Sequence, residues 1–180
     1  MAEEEALALL KACGAEAMDH PGGTLPAHLL RVRERLAAWG AREELCLAGL
    51  CHAFYGTDGF PTALLPLDRR AELRTAVGTE AEHLVYAYAA CDRDATYPTL
   101  ERPDGPYRDR FTGTVHIPSD RQRRDLAELT AANELDIASV SPDFRHRWGP
   151  GLLTLFQRLR PLLSPAAWED AQHVLLLPDA

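Results

Sequence analysis

The chain has 180 residues, 46% of them hydrophobic, with a formal net charge of −8 and a sequence pI near 5.3. That length buries a substantial core and predicts one domain over residues 1–180. An acidic chain lacks the clustered Lys and Arg that sequence-independent nucleic-acid binding requires. No apolar run approaches the roughly 18 residues of a membrane-spanning helix. Of 19 basic residues only Lys11 is lysine. That bias, with abundant Ala and Leu, points to a high-GC bacterial genome. Cys13, Cys46, Cys51 and Cys91 form no C-x-x-C pair, and the opening Met-Ala-Glu-Glu-Glu is acidic where a secretory signal is basic. A cytoplasmic protein with reduced thiols is therefore expected.

Helical signals dominate in chain order. Ala6, Leu9, Leu10 and Cys13 stripe a first helix over 3–18, broken by Asp19-His20-Pro21-Gly22-Gly23. Thr24 is a good N-cap for a second helix over 25–39, with apolar Leu25, Leu29, Val32, Leu36 and Trp39 at helical spacing and Gly40 as its stop. A third helix over 41–55 is almost wholly apolar after Leu45, the signature of a central element. A short fourth helix runs from Asp68 to Gly78, and Thr79 with Glu82 reads as a capping box for a fifth over 80–91.

Residues 93–117 are punctuated by Pro98, Pro103, Gly105, Pro106 and Gly113. A loop this long in a small domain is usually functional or mobile, and 111–117 is expected to form one arm of a short β-hairpin. Ser119-Asp120 caps a sixth helix through Leu135, and two more follow over 152–163 and 165–176. The fold class is all-α: a compact helical bundle with one long loop at about 93–117.

His52 lies near the end of the apolar third helix, and His28 sits inside the second. An imidazole among Leu, Ala and Gly is costly unless hydrogen-bonded or ligated, so two of them on neighbouring helices mark a candidate site. His20 in the Gly-rich turn and Asp92 at the end of the fifth helix complete a candidate metal set of His20, His28, His52 and Asp92 for Fe, Mn or Zn. Asp19 or Asp58 is a candidate outer partner for the ligands. Tyr55, three residues after His52, is a candidate acid or orienting group. Arg93 is a candidate clamp for an anionic group. His83, His116, His146 and His173 read as lying outside the site. Asn133 and Glu134, late in the sixth helix, read as capping or surface residues, and the basic cluster of Arg121, Arg123 and Arg124 as a solvated face.

The arrangement His28 … Ala48-Gly49-Leu50-Cys51-His52-Ala53 … Asp92 resembles the HD-domain superfamily of metal-dependent helical proteins. The stretch His-Pro-Gly-Gly-Thr-Leu through His-Ala-Phe-Tyr-Gly-Thr resembles more closely a bacterial family of unknown function (DUF6817-like) with a His-x-x-Tyr-Gly-Thr segment. That likeness extends through Asp92-Arg93 and, more weakly, through Thr130-Ala131-Ala132-Asn133-Glu134. The superfamily resemblance implies a divalent metal held by an early histidine, a His-Asp dyad and a later aspartate. Here the dyad's aspartate position is Ala53, and the acidic pair expected a few residues on is Gly56-Thr57.

Three outcomes follow from that departure. A mononuclear site survives on His20, His28, His52 and Asp92; or Asp58 or Glu134 enters from elsewhere; or the metal is gone and a binding pocket remains. The function expected first is a metal-dependent enzyme hydrolysing a phosphoester or related bond in a small anionic substrate, with Tyr55, Arg93 and Asp58 assisting. The alternatives are an iron-dependent oxygenase of the HD type and a degenerate, non-catalytic ligand-binding domain.

Overall fold

The computed structural model describes residues 1–177. Among them, nine α-helices surround one apolar core, with two small two-stranded ladders at the edges. The first helix, α1 (Ala2–Ala12), buries Ala6 and Leu10 and gives way to a single 3-10 turn at Ala15–Ala17, shorter than its stripe suggests because Gly14 takes a left-handed φ of 79°. The chain then makes a tight hairpin, β1 (Asp19–His20) against β2 (Gly23–Thr24), in which His20 lies opposite Gly23.

Helix α2 (Leu25–Ala38) begins where the Thr24 hydroxyl accepts the Ala27 N–H, and Pro26 is tolerated in the first turn, where its missing N–H has no intrahelical partner. Its buried face is Leu25, His28, Leu29, Val32 and Leu36, so His28 sits on the core stripe itself. Every residue of α3 (Glu43–Cys51) from Leu45 onward is buried, in keeping with its all-round apolar pattern. Gly49 makes the α2–α3 approach close: a β-carbon there would lie 2.6 Å from Leu36 Cδ1. The helix ends at Cys51, and His52 is its C-cap, earlier than the expected end near Tyr55.

Helices α4 (Arg70–Val77) and α5 (Thr79–Ala90) meet at Gly78, whose φ is 86°. Glu82 does not close a capping box. It is fully buried, where its carboxylate accepts from Arg70, Arg74 and the Tyr55 hydroxyl. The 93–117 segment holds a one-turn helix α6 (Arg93–Thr96) and a ladder of β3 (Tyr107–Arg108) with β4 (Val115–His116), so the expected hairpin arm is real but covers only two residues. Tyr107 donates to the Ala87 carbonyl and Tyr86 to Asp109, pinning this loop to α5.

The longest element is α7 (Asp120–Val140), opened by a capping box in which Ser119 and Gln122 exchange hydrogen bonds. It extends five residues past the expected end because no breaker occurs before Ser141. Helix α8 (Pro142–Leu159) starts ten residues before the expected 152. Gly149-Pro150-Gly151 reads as a break, yet the helix continues through it. Ser141 caps its start, and Arg145, buried, donates to the Ala138 carbonyl and ties α8 to α7. Tertiary packing overrides the local cost of an internal proline. Helix α9 (Pro165–Leu175), capped by Ser164, closes the fold. No helix among the described residues is long and apolar enough to cross a membrane.

Candidate functional site

The close α2–α3 contact sets two imidazoles edge to edge. His28 Nε2 lies 3.3 Å from His52 Nε2 and 3.0 Å from Asn133 Oδ1. The far nitrogens are both anchored. His52 Nδ1 is 2.7 Å from the Gly49 carbonyl, one of the orphan acceptors at the end of α3, so it carries a proton. His28 Nδ1 is 2.6 Å from Asp136 Oδ2, and Arg31 grips the same carboxylate through Nε at 2.8 Å and Nη2 at 2.9 Å. Asp136 is held below the usual carboxylate range: burial alone would raise it, and the hydrogen bonds from His28 and Arg31 outweigh that. Its negative charge places the Nδ1 proton on His28.

With both Nδ1 positions protonated, His52 Nε2 presents a lone pair, and the Asn133 carbonyl oxygen presents another to the same point. The Asn133 amide nitrogen donates to Glu134 Oε1 at 3.3 Å, which fixes which end faces His28. A positive centre such as a metal cation would fit among these acceptors. Burial is the main cause that lowers His52 to about 3. Burial likewise lowers His20 to about 4. Its ring stacks on that of His28, centroids 3.9 Å apart and 16° from parallel.

The donor geometry suits a metal in spacing and outer partners. Ligand bonds of about 2.0–2.1 Å in a tetrahedron give ligand–ligand edges of about 3.3–3.4 Å, close to the His28–His52 spacing of 3.3 Å. Imidazoles that ligate metals characteristically give their other N–H to a carboxylate or carbonyl, as Asp136 and Gly49 receive here. The donor set is nonetheless neutral. No group of three His, Cys, Asp or Glu side chains among the described residues could hold a metal ion, so Asn133 would have to serve as the third donor.

Of the expected metal set, the structure brings His20, His28 and His52 together and leaves Asp92 apart. Asp92 caps α6 by accepting the Ala95 N–H, and its other oxygen is 3.7 Å from Arg108. A helix start claims the carboxylate before any metal can. Tyr55 likewise leaves the site: it is buried and donates to Glu82 at 2.9 Å, because α3 has already ended and its ring follows the turn toward α5. Asp58 is exposed and accepts the backbone N–H of Arg93 at 2.9 Å, a positioning contact. Asp19 is exposed in the β1–β2 hairpin, so the outer partner is Asp136 instead. His83, His116, His146 and His173 are all exposed.

His52, His20 and Asn133 form the floor of a cavity of about 540 Å³, within the range of about 300–1,000 Å³ typical of small-molecule sites. Arg93 enters from the side, donating to Glu134 at 3.3 Å and to the Tyr88 hydroxyl at 3.3 Å. Gly59 leaves room for it, since a β-carbon there would lie 2.8 Å from Arg93 Nη1. The opposite wall is apolar: Ile137 from α7 and Phe144, Trp148, Leu152 and Leu155 from α8. Sequence reasoning missed Arg31, Asp136 and this wall; it read Asn133 and Glu134 first as capping or surface residues, with Glu134 as an alternative entrant to the site. One signal was available: Asn133 and Asp136 share a helix face at i, i+3, on a segment otherwise buried all round.

Residues 9–93 match the model of a domain of unknown function (DUF6817), somewhat under half of the chain. The match supports the likeness to that family and takes in His20, His28, His52 and Arg93, but stops short of α7 and α8. No curated protein and no solved structure matches the chain.

Proposed function

We propose that the protein is a metal-dependent enzyme that hydrolyses an ester-type bond in a small anionic molecule bound in the α2–α3–α7–α8 cavity. The observation that carries this reading is the triangle of facing acceptors, His28 Nε2, His52 Nε2 and Asn133 Oδ1, with both histidines anchored through Nδ1. These three would hold the metal; Asp136 with Arg31 and the Gly49 carbonyl orient the rings. A set of neutral nitrogen and amide donors suits Zn or Fe better than Mg. A metal so held supplies Lewis acidity and a water of lowered pKa. Arg93 binds the anionic group and orients it toward the floor. His20, neutral at pH 7 and lining the cavity, accepts a proton from a water beside the floor. The apolar wall excludes bulk water.

A second reading, a non-catalytic ligand-binding domain, draws support from Ala53. It lines the cavity where the superfamily resemblance calls for an aspartate, and the nearby carboxylates are engaged by arginines or backbone N–H groups.

Elemental analysis of protein purified without a metal-chelating tag, followed by titration of the chelator-treated protein with Zn, Mn and Fe, separates the two. Stoichiometric binding that His52→Ala abolishes is the expected result. Protein that binds none of the three with a Kd below about 100 μM, a weak limit for a site meant to hold its ion, would leave only the ligand-binding reading.

A further inference from the structure

The cavity is built of two unlike halves, and their chemistry narrows what fits. On α8, Phe144, Trp148, Leu152 and Leu155 recur at spacings of four, four and three, which is one stripe of a helix. That stripe lines the hollow, with Phe144, Leu152 and Leu155 also packed against the edge of the core. Trp148 is 51% exposed and the other three are half-buried. A helix normally buries such a stripe fully; here the part left open faces the cavity, where an occupant would cover it.

The polar half carries little charge. Arg93 is the one cationic guanidinium among the lining residues, and Glu134, its partner at 3.3 Å, also lines the cavity. That ion pair leaves the lining with little net charge. A dianionic phosphate or a polyphosphate would bring two or more negative charges into a place with one arginine, against a large desolvation cost. A single charge on an apolar body meets both halves.

We infer that the ligand of this cavity is a monoanionic amphiphile, a carboxylate or a phosphodiester whose head pairs with Arg93 and whose apolar body lies along Phe144, Trp148, Leu152 and Leu155. The inference rests on the cavity being the substrate site, as proposed above, but not on the metal. In the cavity without its ion, it favours a phosphodiester over a monoester or a nucleotide polyphosphate.

Calorimetric titration of chelator-treated protein at pH 7.5 tests it with four probes: decanoate and bis(4-nitrophenyl) phosphate as monoanions, 4-nitrophenyl phosphate and pyrophosphate as polyanions. At least one monoanion is expected to bind ten-fold or more tighter than either polyanion, and which one does so distinguishes the two head groups. Arg93→Gln should weaken the better monoanion at least ten-fold, with Arg93→Lys recovering part of the loss. Arg93 is packed against Tyr88 and Glu134, so Trp148→Ser, at an exposed position that leaves folding intact, provides the independent check and should weaken it at least three-fold. Polyanions binding as tightly as monoanions, an unchanged affinity in Trp148→Ser, or no binding of any probe below 1 mM would each overturn the inference. Because these titrations use chelator-treated protein, they do not depend on the metal: a protein that selects monoanions but takes up none of Zn, Mn and Fe would refute the proposed hydrolysis alone.

Discussion

Glu82 and Asp136 are both almost wholly buried carboxylates, and both are gripped by arginine. Glu82 takes Arg70, Arg74 and the Tyr55 hydroxyl; Asp136 takes Arg31 and the His28 ring. The first cluster fastens α4 and α5 to the turn that follows α3, and none of its members lines the cavity. The second differs in one respect: its last partner has a second nitrogen, and that nitrogen looks toward the cavity floor. A buried carboxylate knitted to arginines is a staple when its remaining partner is a phenol. When the partner is an imidazole, the same staple aims a ligand or a proton.

Removing Glu82 should break the comparison most severely. Glu82→Ala leaves Arg70, Arg74 and Tyr55 without their shared acceptor, and loss of one partner of a buried ion pair costs about 3–5 kcal/mol. Thermal or urea unfolding measures it, and chelator should make no difference to the loss. Asp136→Asn should cost less, about 2–3 kcal/mol, because the amide keeps a carbonyl acceptor for one of its partners, whereas Glu82→Ala strips the acceptor from two arginines and a phenol at once. Its distinguishing effect is on metal affinity, which should fall about 10–100-fold as an outer-shell loss, while Glu82→Gln leaves that affinity unchanged. Equal effects of the two substitutions on metal binding would erase the distinction between staple and site.

Gly49→Ala acts between these clusters. The added methyl meets Leu36, and overpacking of this kind costs about 1–3 kcal/mol. It should also widen the His28–His52 spacing, so metal affinity should fall along with the melting temperature.

The smallest expected effect is on pH dependence. Burial alone would raise Glu82, but hydrogen bonds from Arg70, Tyr55 and Arg74 leave it lowered in the folded protein. A carboxylate lowered on folding binds fewer protons in the native than in the unfolded state, so its stabilisation is present above the ordinary carboxylate value of about 4.5 and fades as pH falls through the folded value. Acid unfolding of Glu82→Gln should therefore be shallower than that of the parent below about pH 4.5. A parallel pair of acid limbs would show that Glu82 is not ionised in the folded state.

Much of the fold was legible because its signals are local. The Thr24, Ser119 and Ser164 caps, the stops at Gly40 and Gly78 and the apolar run of α3 each act within a turn or two, and the helices begin where they say. Where local signals conflicted with packing, the reading failed. Gly149-Pro150-Gly151 has the chemistry of a break, yet α8 runs through it because its face packs on α7 and Arg145 holds the Ala138 carbonyl. His52 was read as part of a longer helix, and its place at the C-cap is what frees the Gly49 carbonyl to fix its tautomer.

The candidate site divides along the same line. His20, His28, His52 and Arg93 stood out because an imidazole in an apolar helix or a cation at a helix end is conspicuous by itself. Asp92 and Tyr55 stood out equally, and the structure sends both elsewhere, since proximity in sequence says nothing about which of two neighbours a side chain chooses.

The sequence by itself determined an all-α chain and singled out the histidines on α2 and α3 as a candidate site. Only the tertiary structure decided the rest: Asn133 and Asp136, which meet His28 across 105 and 108 residues, the loss of Asp92 and Tyr55 from the site, and the apolar wall of α8. Local patterns fix what a segment becomes because their energies act within a few residues. Which polar groups share a buried point is settled only when distant helices dock and every buried donor must find its acceptor.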